Sequence, residues 1–186
     1  RQLVVFLLGS EQYAVGIKEL WELPAGRLEA GTVIHTMGYP LKQEEFGGAF
    51  IYGLPDNQAF VGFVVGLDYK DPLFEPHQAF NRLKQHPLLR DLLAGGKMVR
   101  YGAKALPEGG WHTIPRLHMD GGLIAGDAGG FMNSMRLKGI HLAMRSGMLA
   151  GEAACDAIAS GDTSAAALSS YKTRIDASAI RKELYQ

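Results

Sequence analysis

The chain has 186 residues, of which 47% are apolar and 20% are charged, as in an ordinary globular protein with a buried core. Its 19 basic and 19 acidic side chains cancel, so no net charge favours nucleic acid or an anionic membrane. The sequence contains no run near the roughly 20 apolar residues of a spanning helix, and its single cysteine, Cys155, excludes an internal disulfide or a four-thiolate cluster.

The first third of the chain is predicted to be rich in strands. The short apolar run from Leu3 to Leu8 predicts a buried strand, and residues 31–37 predict another. Residues 14–23 mix small, apolar and charged side chains and are ambiguous. Two β-rich runs, 49–54 and 59–67, flank a short polar loop and predict a hairpin, so antiparallel sheet is expected here.

Residues 71–93 predict a helix with two interruptions. Pro76 suits a first helical turn, Pro87 starts a second short helix, and paired glycines close that helix. Residues 98–105 then predict a strand.

The apolar side chains of this helical region allow two interpretations. They form a surface that dips into a membrane, or they form the ordinary apolar face of helices packed on their own core. Amphipathic helices are common in globular proteins, which favours the second interpretation. The residues concerned are Phe74, Phe80, Leu83, Leu88, Leu89, Leu92 and Leu93.

The last third is predicted to end in a pair of helices. Two further strands are expected at 113–119, broken by Pro115, and at 123–125. A long helix is predicted over 139–159, because apolar and small residues recur at helical spacing. These residues are Ile140, Met144, Gly147, Met148, Gly151, Cys155 and Ile158. Asp162 or Thr163 is expected to cap a final helix that runs towards Tyr185, with Leu168, Tyr171, Ile175 and Ala179 on one face.

The first candidate site is the pair Gly126-Asp127, which ends a short apolar strand and precedes a glycine-rich loop. In open α/β sheets such a strand end binds ligands, and an aspartate there accepts hydrogen bonds from sugar or ribityl hydroxyls. The long helix starts about a dozen residues later, at Lys138-Gly139, and its positive end suits an electron-rich group. The dipeptide alone is better explained as a strand-to-turn junction, but the whole combination indicates a flavin site.

The second candidate site is Phe46-Gly47-Gly48-Ala49-Phe50. Paired glycines at the start of a strand expose the backbone to a close ligand, and the flanking aromatic rings offer an apolar wall. A quinone head group has two carbonyls on an apolar ring, so it needs both backbone polar groups and an apolar wall. A bulge or turn entry remains the simpler explanation of the glycines alone.

Other catalytic chemistry has little support. The six histidines, His35, His77, His86, His112, His118 and His141, form no metal-ligand pattern. The chain has neither a nucleophile elbow nor a dinucleotide fingerprint. No catalytic proton-transfer residue is predicted.

Several stretches resemble the electron-transfer flavoprotein:ubiquinone oxidoreductase family in order and spacing. They are residues 16–21, 35–41, 46–50, 64–69, 95–97, 101–106, 108–110, 130–133 and 138–147. The resemblance covers nearly the whole chain. It implies a flavoprotein that takes electrons from electron-transfer flavoprotein and reduces ubiquinone at a membrane surface.

The resemblance also implies cofactors, site residues and location. The complete enzyme carries FAD and a 4Fe–4S cluster and lies on the cytoplasmic face of a bacterial inner membrane, or on the matrix face of the mitochondrial inner membrane. The quinone site falls on Phe46, Gly47, Gly48 and Phe50. The flavin site falls on Gly126, Asp127, Met132, Asn133, Lys138, Gly139 and Ile140. The family lacks a carboxylate at the position of Asp127, so the resemblance supports the backbone there rather than the side chain.

The expected fold is α+β, a mostly antiparallel sheet with packed helices of the FAD/NAD(P)-binding oxidoreductase type, followed by a C-terminal helical pair. Residues 1–119 are expected to bind quinone, and residues 120–186 to complete an FAD domain. We expect an internal piece of a longer protein that binds neither cofactor tightly alone and does not bind nucleic acid. The alternatives are an FAD-dependent, geranylgeranyl-reductase-like enzyme acting on a lipid, and an inactive module that binds quinone or lipid.

Overall fold

The computed structural model describes residues 13–185, so the strand expected at Leu3 to Leu8 lies outside the described residues. Two compact units are present, one of Tyr13–Leu106 and one that includes residues 107–185. The first is a mostly antiparallel sheet with helices, and the second is largely helical. The predicted α+β fold is confirmed. The division at residue 119 into a quinone-binding and a flavin-binding part stays a prediction.

The first unit is built on a five-stranded sheet in the order β2-β3-β4-β1-β5. Its strands are β1 (Tyr13–Glu22), β2 (Val33–Met37), β3 (Gly47–Leu54), β4 (Gln58–Gly66) and β5 (Lys97–Pro107). The ambiguous segment 14–23 is therefore a strand. It pairs antiparallel with β4 from Ala14 to Glu22, and this long pairing outweighs its mixed composition.

The predicted hairpin is confirmed in β3 and β4. The two strands pair from Gly47 opposite Val65 to Leu54 opposite Gln58. Asp56 and Asn57 occupy the left-handed region, with φ of 59° and 55°. Asp and Asn tolerate this conformation better than other side chains, which explains why the polar loop turns here.

Two helices, α1 (Pro76–Lys84) and α2 (Pro87–Leu93), cover one face of the sheet. The Glu75 carboxylate accepts the N–H groups of His77 and Gln78, which caps α1 in front of its proline. Phe80, Leu83, Leu89 and Leu93 are buried in the core of this unit. Their burial supports the interpretation of these helices as core elements rather than a membrane-dipping surface.

A buried ion pair joins α1 to the sheet. The Glu19 carboxylate on β1 is 2% exposed and accepts hydrogen bonds from Lys84 Nζ at 2.7 Å and from Trp21 Nε1 at 2.8 Å. Both carboxylate oxygens therefore have a partner, which offsets the cost of burying the charge.

The second unit contains a two-stranded antiparallel ribbon and a series of helices. The ribbon consists of β6 (His118–Met119) and β7 (Gly122–Leu123). The helices are α3 (Ile140–Ser160), α4 (Ala165–Leu168), α5 (Ser170–Ala177) and α6 (Ala179–Leu184). No helix among residues 13–185 is long and apolar enough to cross a membrane.

The strand expected over 113–119 is largely wrong. Residues Trp111–Thr113 form a 3₁₀ turn, and only His118 and Met119 pair in a strand. Pro115 has no N–H group to donate to a ladder, which explains why pairing starts only after it.

The final helix is not continuous. Ser164, rather than Asp162 or Thr163, caps its start by accepting the N–H of Ala167. Ser178 is extended and begins a new helix, which shifts the buried position from Ala179 to Ile180. A serine hydroxyl competes for backbone groups, so it favours such a restart.

The predicted long helix is confirmed as α3, but a different face of it is buried. The residues that recur at helical spacing are exposed, with Ile140 at 80% and Ile158 at 71%. The buried positions are Leu142, Ser146, Leu149, Ala153 and Ala157. Both faces are apolar or small, so the sequence pattern does not choose between them.

Candidate functional site

The paired glycines at the start of β3 are required by the sheet itself. A Cβ atom on Gly48 would lie 2.2 Å from the carbonyl oxygen of Thr36 on β2. A Cβ on Gly47 would lie 2.2 Å from the carbonyl oxygen of Val64 on β4. The backbones approach too closely for any side chain at either position, so both glycines have a structural role whether or not a ligand binds.

The sheet face opposite α1 and α2 presents an aromatic surface next to Gly48. Along β3, Ala49 and Ile51 are buried, whereas Gly48, Phe50 and Tyr52 are half-buried on the other face. The Phe50 and Tyr52 rings stack with centroids 4.8 Å apart. Gly48 and Phe50 therefore share one face, whereas a Cβ on Gly47 would contact Leu41 on the helix side, at 2.8 Å.

The Phe50 ring lies over Gly62 of β4. The two residues are directly opposite in the antiparallel register, and a Cβ on Gly62 would lie 2.1 Å from Cζ of Phe50. Because Gly62 has no side chain, the Phe50 ring can lie flat on the sheet at this position. Phe46, the fourth predicted quinone residue, is 54% exposed, and its carbonyl oxygen accepts the N–H of Gly66 at 2.8 Å.

A histidine–tyrosine pair completes this face and was not predicted as a functional feature. His35 of β2 is directly opposite Phe50, and its Nε2 lies 3.0 Å from the Tyr52 hydroxyl. The signal in the sequence was strand alternation, which places Tyr52 on the same face as Phe50. It could be used only once the pairing of β2 with β3 was known.

A depression elsewhere in this unit is unsuited to a quinone ring. It is lined mainly by charged and polar side chains and includes none of the four predicted quinone residues. Its lining residues are Pro40, Lys42, Glu45, Asp71, Leu73, Phe74, Glu75, Gln78, Ala79 and Arg82.

In the second unit, Gly126 joins the Gly-Asp turn to α3. Gly126 adopts the left-handed conformation, with φ of 67°, and its N–H donates to the Ser146 hydroxyl at 2.9 Å. Ser146 is fully buried, and its hydroxyl donates in turn to the Ala143 carbonyl at 2.8 Å. These bonds explain why a glycine stands at this position and fix the turn against the helix.

The structure brings Asp127 and the start of α3 together. A Cβ on Gly139 would lie 3.5 Å from Asp127 Oδ1 and 3.1 Å from Met132 Cγ. Asp127 itself is exposed. The three predicted flavin residues thus surround a small space that a side chain at position 139 would fill.

The strand before Asp127 differs from the one expected. It was expected at the carboxyl edge of an open α/β sheet, but β7 ends at Leu123 and pairs only with β6 among the described strands. A 3₁₀ turn, Gly126–Gly129, follows it. Within the described residues, Asp127 therefore does not lie at the carboxyl edge of a parallel sheet.

Asn133 organises the loop that leads to α3. It is 7% exposed and exchanges two backbone hydrogen bonds with Lys138, of 2.8 and 3.1 Å. Its side-chain oxygen accepts the N–H of Arg136, and its Nδ2 donates to Glu183 Oε1 at 3.4 Å. The predicted residues Asn133 and Lys138 thus close a tight loop directly before Gly139.

The start of α3 has no side-chain cap. Gly139 occupies the capping position, and Ile140, the last predicted flavin residue, is exposed beside it. An uncapped helix start leaves N–H groups and the positive end of the helix dipole available to an anion.

A hydrogen-bonded histidine–glutamate pair next to this helix start involves the C-terminal helix. His141 Nε2 lies 2.9 Å from Glu183 Oε2, and this hydrogen bond, aided by Asn133 and Arg136, holds the pKa of the Glu183 carboxyl below its ordinary value. Sequence reasoning missed Glu183, because it lies 42 positions from His141 in the chain.

Metal chemistry gains no support from the described part of the chain. Residues 13–185 hold no group of three or more His, Cys, Asp or Glu side chains placed to bind a metal ion. Cys155 is a free, exposed thiol.

A family model described as "ETF-QO, ubiquinone-binding" matches residues 13–106, which are half of the chain. The chain belongs to this family. The match coincides with the sheet unit, Tyr13–Leu106, that carries the paired glycines and the aromatic face.

Curated relatives of the family extend the similarity over nearly the whole chain. The electron transfer flavoprotein-ubiquinone oxidoreductase of Pseudomonas aeruginosa is 41% identical over 177 residues, which are 95% of this chain and 32% of the relative. The mitochondrial enzymes of Oryza sativa and Rattus norvegicus are 43% and 42% identical, and each aligns with 95% of this chain. The chain spans about 30% of the length of these relatives.

Solved structures share the fold at low sequence identity. A geranylgeranyl bacteriochlorophyll reductase-like protein from Thermoplasma acidophilum has a TM-score of 0.70 and 19% identity, over 92% of this chain and 41% of its own. A flavin-dependent brominase variant has a TM-score of 0.61 and 17% identity, over 90% of this chain and 41% of its own. These similarities concern the fold alone.

Proposed function

We propose that the complete protein carrying these residues accepts electrons from electron-transfer flavoprotein and reduces ubiquinone. The observation that supports this most directly is the match of residues 13–106 to a ubiquinone-binding family. The relatives named electron transfer flavoprotein-ubiquinone oxidoreductase, which align with about 95% of the chain, support it further.

In this proposal the quinone binds on the aromatic face of the sheet. Phe46 and Phe50 provide the apolar wall, and Gly48, next to Gly47, has no side chain on this face, so a quinone ring can lie close to the strand. An aromatic ring stacked on a quinone contributes about 0.5–1.5 kcal/mol beyond the burial of its area.

The residues at the start of α3 fit a flavin. They would hold it through Gly126, Asp127, Met132, Asn133, Lys138, Gly139 and Ile140, because Gly139 leaves its backbone uncovered by a side chain and the helix start is uncapped. When bound, FAD supplies the electron transfer. The uncapped helix start stabilises negative charge next to it, and the exposed Asp127 carboxylate accepts hydrogen bonds from hydroxyl groups.

An iron–sulfur cluster does not fit these residues, because the chain has one cysteine and such a cluster needs four thiolates. Cluster ligands would have to come from outside these 186 residues. A peripheral position at a membrane suits a lipid-soluble substrate, and the family resemblance implies the cytoplasmic face of a bacterial inner membrane or the matrix face of the mitochondrial inner membrane.

The test is quinone reduction by the complete natural protein, with reduced electron-transfer flavoprotein as donor and a short-chain ubiquinone analogue as acceptor. We expect turnover, and we expect Phe46→Ala to raise KM for the quinone by roughly 3- to 10-fold through the lost ring contact. Leu88→Ala is the matched control, because Leu88 is 50% exposed on α2, away from the aromatic face. Absence of quinone reduction in the wild-type protein would contradict the proposal.

A second candidate is an FAD-dependent reductase that acts on a lipid, which the fold similarity to the geranylgeranyl reductase-like protein favours. Hydrogenation of a polyprenyl double bond, without quinone reduction, would support this candidate instead. A third is an inactive module that binds quinone or lipid. For the 186 residues alone we expect no tight cofactor binding, and stoichiometric flavin fluorescence after purification would contradict that expectation.

A further inference from the structure

Reduction of a quinone consumes protons as well as electrons. Two electrons and two protons convert the two C=O groups of ubiquinone into the two C–OH groups of ubiquinol. This inference rests on the proposed function, and it concerns where one of those protons comes from. A side chain on the aromatic face of the sheet that can donate a proton would supply it where the quinone binds.

The His35–Tyr52 pair has the chemistry of such a donor. The phenol and the imidazole are hydrogen-bonded at 3.0 Å between Tyr52 OH and His35 Nε2. Imidazole is the side chain that takes up and releases a proton near neutral pH, and His35 is exposed to solvent. Protons can therefore enter the pair from water and reach the phenol through one existing hydrogen bond.

The strand register places His35 one row from Gly48 and Tyr52, which is opposite Val33, two rows from it; the Tyr52 hydroxyl reaches back to His35. Met37 is opposite Gly48, and His35 is opposite Phe50, two residues farther along β3 on the same face. Two residues of a strand span about 6.6 Å, and diagonal neighbours have Cβ atoms about 7–8 Å apart. A quinone ring with one carbonyl at Gly48 and its long axis along β3 would direct its other carbonyl towards this row.

A second cationic side chain in the row of His35 is occupied differently. Lys18 of β1 lies in the same row as His35 but is separated from it by β3 and β4, and its Nζ lies 4.4 Å from the centroid of the Phe60 ring. Phe50, flat over Gly62, lies between Lys18 and His35 in that row. Of the titratable side chains identified in this row, His35 is thus the one hydrogen-bonded to a phenol.

We propose that Tyr52 delivers a proton to the reduced quinone and that His35 replaces it. The O–H bond of Tyr52 breaks as an O–H bond forms on one quinone oxygen. The N–H bond of protonated His35 breaks as the Tyr52 O–H bond re-forms, and water then protonates His35. The second quinone oxygen takes its proton from water, and both electrons come from reduced electron-transfer flavoprotein through the complete protein.

The test compares two acceptors in the complete natural protein. A ubiquinone analogue needs protons, whereas the ferricenium ion accepts an electron without a proton. We expect Tyr52→Phe to lower kcat for the quinone by about 100-fold, the lower end of the range for a lost general acid. His35→Gln should lower it similarly, because an amide cannot supply the proton. KM for the quinone should stay within twofold, and ferricenium reduction should be unchanged.

The matched control is Tyr39→Phe. Tyr39 also lies beside an imidazole, that of His86 at 5.6 Å between ring centroids, but its hydroxyl faces the Arg82 carbonyl of α1. This variant should reduce both acceptors like the wild type. An unchanged kcat for the quinone in Tyr52→Phe, or an equal loss with both acceptors, would overturn the proton-donor role. Failure of the proposed function is distinct, because the wild-type protein itself would then not reduce quinone.

Discussion

Replacing Gly48 by alanine tests the structural role of the paired glycines on β3. The added Cβ would lie 2.2 Å from the Thr36 carbonyl oxygen, whereas ordinary van der Waals contact begins at 3.4 Å. The neighbour is a backbone atom of β2, so no flexible side chain can move aside. The two strands must therefore separate by roughly 1 Å at this point.

The cost of that separation follows from the bonds that it weakens. Gly48 pairs with Met37 at the end of β2, and each hydrogen bond lost there costs about 0.5–1.5 kcal/mol. With residual strain, we expect Gly48→Ala to destabilise the chain by roughly 2–4 kcal/mol. For a chain of this size the melting temperature should then fall by roughly 5–15 °C.

Thermal unfolding followed by circular dichroism measures this effect in the 186-residue chain. The control is Gly102→Ala on β5, where a Cβ would meet no atom within 4 Å. Its melting temperature should stay close to that of the wild type. Equal melting temperatures for the two variants would refute the close-approach argument.

Three further predictions concern stability. Lys84→Met leaves the buried Glu19 carboxylate without its cation and should lower the free energy of unfolding in urea by roughly 3 kcal/mol. The double variant Lys84→Met/Glu19→Leu should recover most of this loss. Equal stability of the single and double variants would contradict the role of the buried ion pair. The pKa of the Glu183 carboxyl is lowered in the folded chain, so this group stabilises the fold above pH 4.5, its ordinary pKa, and the effect is lost as pH falls through its lower folded pKa. The difference in stability between the wild type and Glu183→Gln should therefore shrink in acid. Burial raises the pKa of Tyr171 from 10.0 to about 12, so the contribution of this side chain to folding stability is complete below pH 10 and is lost as pH rises to 12. Between about pH 9 and about pH 11, the urea midpoint should therefore fall more for the wild type than for Tyr171→Phe. Parallel falls in the two proteins would contradict this prediction.

The elements that were predicted correctly are those whose signals are local. The β3–β4 hairpin follows from two β-rich runs around a polar turn, and α3 follows from a long stretch of helical periodicity. Pro76 and Pro87 marked the starts of α1 and α2, because proline suits a first helical turn.

The elements that were predicted wrongly depend on contacts that the sequence does not display. Ser178 restarts the last helix by accepting the N–H of Ile180, and a serine inside an apolar pattern gives no warning of this. The buried face of α3 is set by what packs against Leu142, Leu149 and Ala153, since the opposite face is equally apolar.

In the candidate sites, too, features with local signals were predictable and features that depend on tertiary contacts were not. The proximity of Asp127 to the start of α3 was predictable from the glycines that allow it. The links from Tyr52 to His35 and from Glu183 to His141 were not, because each joins residues 17 or 42 positions apart through strand register or helix packing. Backbone positions can be inferred from composition, whereas such side-chain partners require the tertiary structure.

The ring of Phe50 lying over Gly62 offers a route to altered substrate selectivity. A single methyl group at position 62 would displace the ring, since a Cβ there would lie 2.1 Å from Cζ of Phe50. The change would reshape the proposed quinone-binding face while leaving Gly48 untouched. Combining Gly62→Ala with a smaller residue at position 50 would add side-chain volume on β4 and remove it on β3. We expect such a variant to admit quinones with bulkier ring substituents.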